Sequence, residues 1–171
     1  TGSTYLFPVG KGGRYLPLTL LDPVTGAGPI TVTAEAFDGT TGGTAGTSLD
    51  SLCNSEYWSL AASGNLTNHR LTLSRPDPVT GLDRAGRSTT LTGTYETVGG
   101  TPSGSSIQNT NNTGAGAQQY FVMAKSGGPV NVAGAHASSN GDYPTLKDAF
   151  DAINAFAQGG FTIVVTIIYV R

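Results

Sequence analysis

The residues able to do acid–base or metal chemistry are few and scattered. Histidine occurs only at His69 and His136, each in a polar setting that reads as exposed surface. Neither a His-x-x-x-His nor a paired-cysteine spacing supports a zinc site. Asp22, Asp77 and Asp83 lie near glycine turns, but their spacing matches no calcium loop. Aspartates in such turns accept hydrogen bonds from nearby backbone donors. Serines abound without a Gly-x-Ser-x-Gly elbow, and Lys11-Gly12-Gly13 lacks the strand–loop–helix setting of a phosphate cradle. Carboxylates for glycoside hydrolysis would have to come from Glu35, Glu56 and Glu96. All three fall on predicted strands and read as solvent-facing. No catalytic, cofactor-binding or metal-ligating residue is assigned, and the chain is expected not to be an enzyme.

Two further features bear on chemistry. Tyr5, Tyr15, Tyr57, Trp58 and Tyr95 offer a platform on which sugars can stack, although the same side chains commonly fill a sandwich core. Cys53 is the single cysteine, so no internal disulfide forms. It reads as a buried small apolar residue beside a strand.

The elements that must position these residues are strands. The chain has 171 residues with 25 glycines, 9 prolines and only 12% charged residues, where about a quarter is usual. That mixture indicates many short strands joined by turns. A net charge of -2 supplies no basic field for nucleic acid or an anionic membrane. Thr4–Phe7, Arg14–Leu21, Ile30–Phe37, Ser55–Leu60, His69–Ser74, Thr89–Glu96 and Gln119–Ala124 read as strands. Pro17 marks the second as an edge or a bulge. The pentapeptide Asp-Pro-Val-Thr-Gly occurs twice, at 22–26 and 77–81, and reads as a turn both times. Residues 38–47 and the polar stretch 99–117 read as flexible loops.

The fold expected is mostly β: an antiparallel sandwich of immunoglobulin-like or jelly-roll-like type over residues 1–126. A flexible linker is expected over 127–140. Residues 141–171 should hold one short helix and a terminal hydrophobic strand. Pro144 suits a first helical turn, and Leu146, Phe150, Ile153 and Phe156 or Ala157 make an apolar stripe at helical spacing, stopped by Gly159-Gly160.

The end of the chain carries the sharpest signal. Phe161, Ile163, Val165, Ile167 and Tyr169 are large and apolar at alternate positions, with no charge or proline from 161 to 170. Left in water, such a segment templates aggregation. It must be covered, either within its own chain or by entering a groove of another copy. Burying five such side chains supplies on the order of 10 kcal/mol before ordering costs. The run is far shorter than the ~20 residues of a membrane-spanning helix, so no membrane insertion is expected. Residue 1 is Thr1 with no charged, apolar leader behind it, so any signal peptide is expected to have been removed.

Several motifs carry a family resemblance. Phe7-Pro8-Val9-Gly10 with Tyr15-Leu16-Pro17-Leu18, and Glu56-Tyr57-Trp58 before an alternating strand, resemble a module of large secreted and surface adhesins of Bacteroidetes-type bacteria. The segment Gly141–Asn154 is similar to the lead-in of right-handed β-helix repeats in the same proteins, where a helix caps the first coil and a strand like 161–170 begins it. Asp50-Ser51-Leu52 resembles their acceptor motif for O-linked sugars. The resemblance implies export and carries no catalytic residues. It departs in stopping one strand after the cap.

Together these readings predict a secreted or cell-surface structural subunit of a filament. Other copies of itself are the expected partners, joined head-to-tail by strand complementation, with Phe161, Ile163, Val165, Ile167 and Tyr169 at the subunit interface. The alternative is a carbohydrate-binding or adhesive accessory module of a larger secreted protein, with surface glycans as partners. No cofactor and no nucleic acid are expected in either case.

Overall fold

Alternation of apolar and polar residues at period two gives the first part of the chain its strands. The computed structural model describes residues 2–46, 48–111, 113–114, 118–128, 130–136, 139–143 and 145–167. The chain divides into two compact units, Thr1–Ser126 and Gly127–Arg171. In chain order the first unit holds β1 (Thr4–Phe7), the short β2 (Gly10–Lys11) and β3 (Arg14–Tyr15), β4 (Leu18–Thr25) and β5 (Thr31–Asp38). Next come β6 (Thr44–Ala45), β7 (Leu49–Leu52), β8 (Glu56–Ser63) and β9 (Leu66–Ser74). The last are β10 (Arg84–Ser88), β11 (Thr94–Thr97), β12 (Thr101–Ser103), β13 (Ser106–Gln108), β14 (Thr113–Gly114) and β15 (Gln118–Ser126).

These strands build a β-sandwich. One sheet runs β1-β4-β9-β13-β12, with β14 also on β9. The other runs β5-β8-β15-β10-β11-β6, with β7 also on β15. Pairing is antiparallel apart from β6 on β11. Leu18, Leu20, Leu71 and Leu73 of the first sheet share a core with Trp58, Leu60, Phe121 and Met123 of the second. Each such burial contributes about 1.5–3 kcal/mol. Trp58 satisfies its indole by donating to the Leu16 carbonyl at 2.8 Å.

Four sequence expectations change in this unit. The first Asp-Pro-Val-Thr-Gly copy is not a turn: β4 runs on to Thr25 through a bulge, with Asp22 at φ 47° and the register shifting between Leu21 and Val24. The Asp22 carboxylate pairs with Arg70 on β9, which holds the strand to its neighbour past the proline. The second copy is the expected turn, with Gly81 at φ 77° and Leu82 N–H donating to the Val79 carbonyl. The loop expected at 99–117 contains the hairpin β12–β13, which joins β9 through fully buried Ile107 and an Asn109 side chain accepting from Leu71 N–H at 2.6 Å. Of the strand expected at 89–96, residues 89–93 are instead the turn that follows β10, and only 94–96 are strand, within β11.

The fourth change concerns residues 38–47. The described part is a strap leading from β5, at one edge of its sheet, to β6, at the other. It packs over Tyr95, which is fully buried and donates to the Leu91 carbonyl at 2.9 Å. Burial pushes the Tyr95 hydroxyl up to about 12. Glycine is needed for the close approach: a Cβ on Gly43 would lie 2.4 Å from the Gly93 carbonyl oxygen and 2.7 Å from the Tyr95 ring. Gly43→Ala is expected to destabilise the sandwich by about 1–3 kcal/mol, read as a lowered thermal midpoint; an unchanged midpoint would show the strap to be loosely held.

In the second unit, β16 (Val130–Ala133), β17 (Gly141–Tyr143) and β18 (Val164–Ile167) form a sheet in the order β17-β16-β18, antiparallel throughout. The linker expected at 127–140 is thus corrected: residues 130–133 are the central strand of this sheet. Val130 and Val132 turn inward and bury against Ala149 and Ile153 of α1 (Leu146–Asn154). Thr145 caps α1, its hydroxyl accepting from Asp148 N–H at 3.1 Å. The helix buries a narrower face than the stripe read from sequence. Ala149 and Ile153 are covered, while Leu146, Phe150 and Phe156 are 41–48% exposed. Pro144 lies outside the described residues.

Candidate functional site

The terminal segment was the site expected from sequence. Its strand is found at Val164–Ile167 and pairs along one edge with β16, Val130 facing Ile167 and Val132 facing Val165. Ile163 and Val165 are half-buried on the small core. Phe161 precedes the strand and meets His136 edge-on at 6.3 Å, while His136 stacks on Phe156 at 4.8 Å. Phe161, Val164 and Ile167 remain 46, 53 and 47% exposed. Tyr169 lies outside the described residues. The segment therefore belongs to its own chain's second unit, at the rim of a sheet, and not to the centre of the sandwich.

On the sandwich, the margin between β1 and β5 is open. Tyr5 and Phe7 of β1, Leu20, Pro23 and Thr25 of β4, Gly28 and Ile30 of the loop before β5, Val32 of β5 and Leu66 of β9 line a slot of about 370 Å³. No lining residue is charged. Tyr5 pairs in register with Leu20 and so shares its core-facing side, yet remains 53% exposed because no further strand lies beyond β1.

The polar candidates are largely corrected. Glu35 and Glu96 are exposed as read, but Glu56 is fully buried. Its oxygens meet Arg14 Nη1 at 2.7 Å and Arg75 Nη1 at 2.8 Å, and the Cys53 thiol donates to it at 3.3 Å. Asp77 reaches Arg14 Nη2 at 3.3 Å from the rim. The hydrogen bond from Arg14 to Glu56 holds the guanidinium above its ordinary value. Glu56 is in phase with Trp58 and Leu60, and that alternation is the signal that could have placed it inside. His69 is likewise in phase with Leu71 and Leu73 and is 1% exposed, not on the surface. Among the described residues neither of its ring nitrogens has a hydrogen-bond partner. Burial, with the Arg87 charge adding to it, pushes the imidazole down to about 4. Asp83 accepts from the Ser126 N–H and hydroxyl at 2.7 and 2.8 Å, so it ties its loop to the end of β15 rather than accepting from donors within its own turn. Cys53 is buried, as its composition and setting suggested.

The aromatic residues do not converge. Trp58 and Tyr95 are fully buried. Tyr5 stands at the slot and Tyr15 on the small hairpin β2–β3, both more than half exposed. Tyr57 stacks on Phe37 at 4.7 Å on the opposite face of the second sheet from Trp58. Ser51 is exposed on β7. Among the described residues no group of three or more His, Cys, Asp or Glu side chains is placed to hold a metal ion. Nor is any described helix long and apolar enough to cross a membrane.

Comparison with known proteins returns no matching family model, no curated relative and no similar solved structure.

Proposed function

We propose that the chain is a non-catalytic structural subunit of an extracellular or cell-surface appendage, joined head-to-tail by strand addition through its terminal segment. The observation that carries this reading is the state of β18. Among the described residues it lies at the rim of its sheet, is bonded on one side only, and leaves apolar side chains exposed. Strand addition supplies main-chain hydrogen bonds for affinity and side-chain pockets for register. A joint that does not close on itself propagates into a fibre. Low charge, abundant hydroxyl residues and the adhesin-like motifs support export.

The purified chain is expected to form regular fibres in negative-stain images, and deletion of residues 161–171 should leave monomers. Wild-type protein that stays monomeric at every attainable concentration would remove this reading. A glycan-binding accessory role draws support from the half-buried Phe37–Tyr57 stack beside exposed Glu35, since ring faces and a carboxylate suit sugars. Retention of glycans by a strictly monomeric sample would favour that role instead.

A further inference from the structure

Free sheet edges are usually blunted by shortness, charge, proline or bulges, because an undefended edge recruits another strand. Applied to each free edge of this chain, that rule separates two strands from the rest. At the far side of the first sheet, β12 carries Pro102, and β14 has two residues. In the second sheet β5 carries Glu35 and Asp38, β7 carries Asp50, and β6 has two residues. The hairpin β2–β3 carries Lys11 and Arg14. In the small sheet β17 has three residues. Among the described residues only β1 and β18, four residues each, have neither charge, proline nor bulge.

The two undefended edges also match. Each is apolar on both faces: β1 leaves Tyr5 53% and Leu6 58% exposed on opposite sides, and β18 leaves Val164 and Ile167 exposed on opposite sides. Each is hydrogen-bonded to a single neighbour, β1 to β4 and β18 to β16. A strand laid along β1 would cover Leu6 on one face and, on the other, roof the uncharged slot beneath Tyr5. Neither strand nor the lining of the slot contributes a charged side chain to that contact.

We infer that β1 is the acceptor edge for β18 of a second copy, which adds to it while still paired with its own β16. This assignment rests on the strand-addition reading and narrows it. Neither copy need unfold an element to join. The contact is heterologous, so each subunit keeps one free donor and one free acceptor.

A complementation experiment tests it on the full-length chain. Leu6→Lys defends the acceptor, and Ile167→Lys defends the donor. Each variant alone is expected to be monomeric by sedimentation while keeping a cooperative thermal transition. Mixed in equal amounts they should form one-to-one dimers and no fibres, because one competent donor meets one competent acceptor. If Leu6→Lys assembles like wild type while Ile167→Lys does not, strand addition stands and β1 is not the acceptor. If both are monomeric and the mixture stays monomeric, the pairing of these two edges is overturned. If wild type does not assemble, both readings fall.

Discussion

Glu56→Ala is expected to lower the unfolding free energy of the sandwich by about 3 kcal/mol, the low end of the ~3–5 kcal/mol seen when one partner of a buried ion pair is removed. The reason is the asymmetry of what remains. Glu56 is fully buried and neutralises two guanidinium groups, Arg14 and Arg75. Without it, the Arg75 side chain, 14% exposed, keeps its charge and loses its closest acceptor. Its Nε is already without a partner among the described residues. Arg14, at 27% exposure, can still turn toward Asp77 and water, which keeps the loss at the lower end. The measurement is a urea midpoint at unchanged slope. Glu35→Ala, on the same sheet but exposed, should stay within about 0.5 kcal/mol. Equal effects at the two positions would show that the buried cluster holds nothing together.

Acid should weaken the same sandwich through His69. Its folded value, about 4, lies below the ordinary 6.5. Above pH 6.5 the ring is neutral in both the folded and the unfolded chain, and its contribution is fully present. As pH falls from 6.5 toward 4, the unfolded chain binds a proton that the folded chain refuses. Stability then drops by about 1.4 kcal/mol per pH unit, or about 3 kcal/mol in all. Below 4 both states are protonated and the loss levels off. Carboxylates titrate over part of this range, so the informative quantity is a difference. Between pH 7 and pH 4, His69→Leu should lose about 3 kcal/mol less than wild type. Matching losses in the two proteins would place the acid sensitivity elsewhere.

Strand periodicity made much of the fold readable before any coordinates. The alternation in Leu71-Thr72-Leu73 and around Trp58 identified core strands because one face of each sheet is buried. The same alternation, carried one or two positions outward, includes Glu56 and His69. Residue type alone puts both on the surface, whereas their phase puts both inside. The polar stretch after Gly99 was misread for a different reason. Its hairpin is held by backbone pairing and by Asn109, with Ile107 as its buried anchor, and hydropathy alone does not register that. The twin pentapeptides show the limit most directly. One sequence, Asp-Pro-Val-Thr-Gly, continues a strand where Asp22 pairs with Arg70 of the neighbouring β9, and reverses the chain where Asp77 reaches Arg14 of the β2–β3 hairpin instead. For the terminal segment, alternation gave a strand but not its neighbour. That neighbour, β16, lies in a run whose small polar residues carry little signal beyond Val130 and Val132.

The strap from β5 to β6 has a mechanical consequence. It fastens together the two outermost strands of one sheet by crossing its face. A load that peels β5 away therefore hauls on the far margin as well. The sheet cannot be unzipped one strand at a time from that side, and rupture must engage β6 and β11 together with β5 and β8. A module under tension would gain a higher breaking force from a few glycine and threonine residues, with no added core.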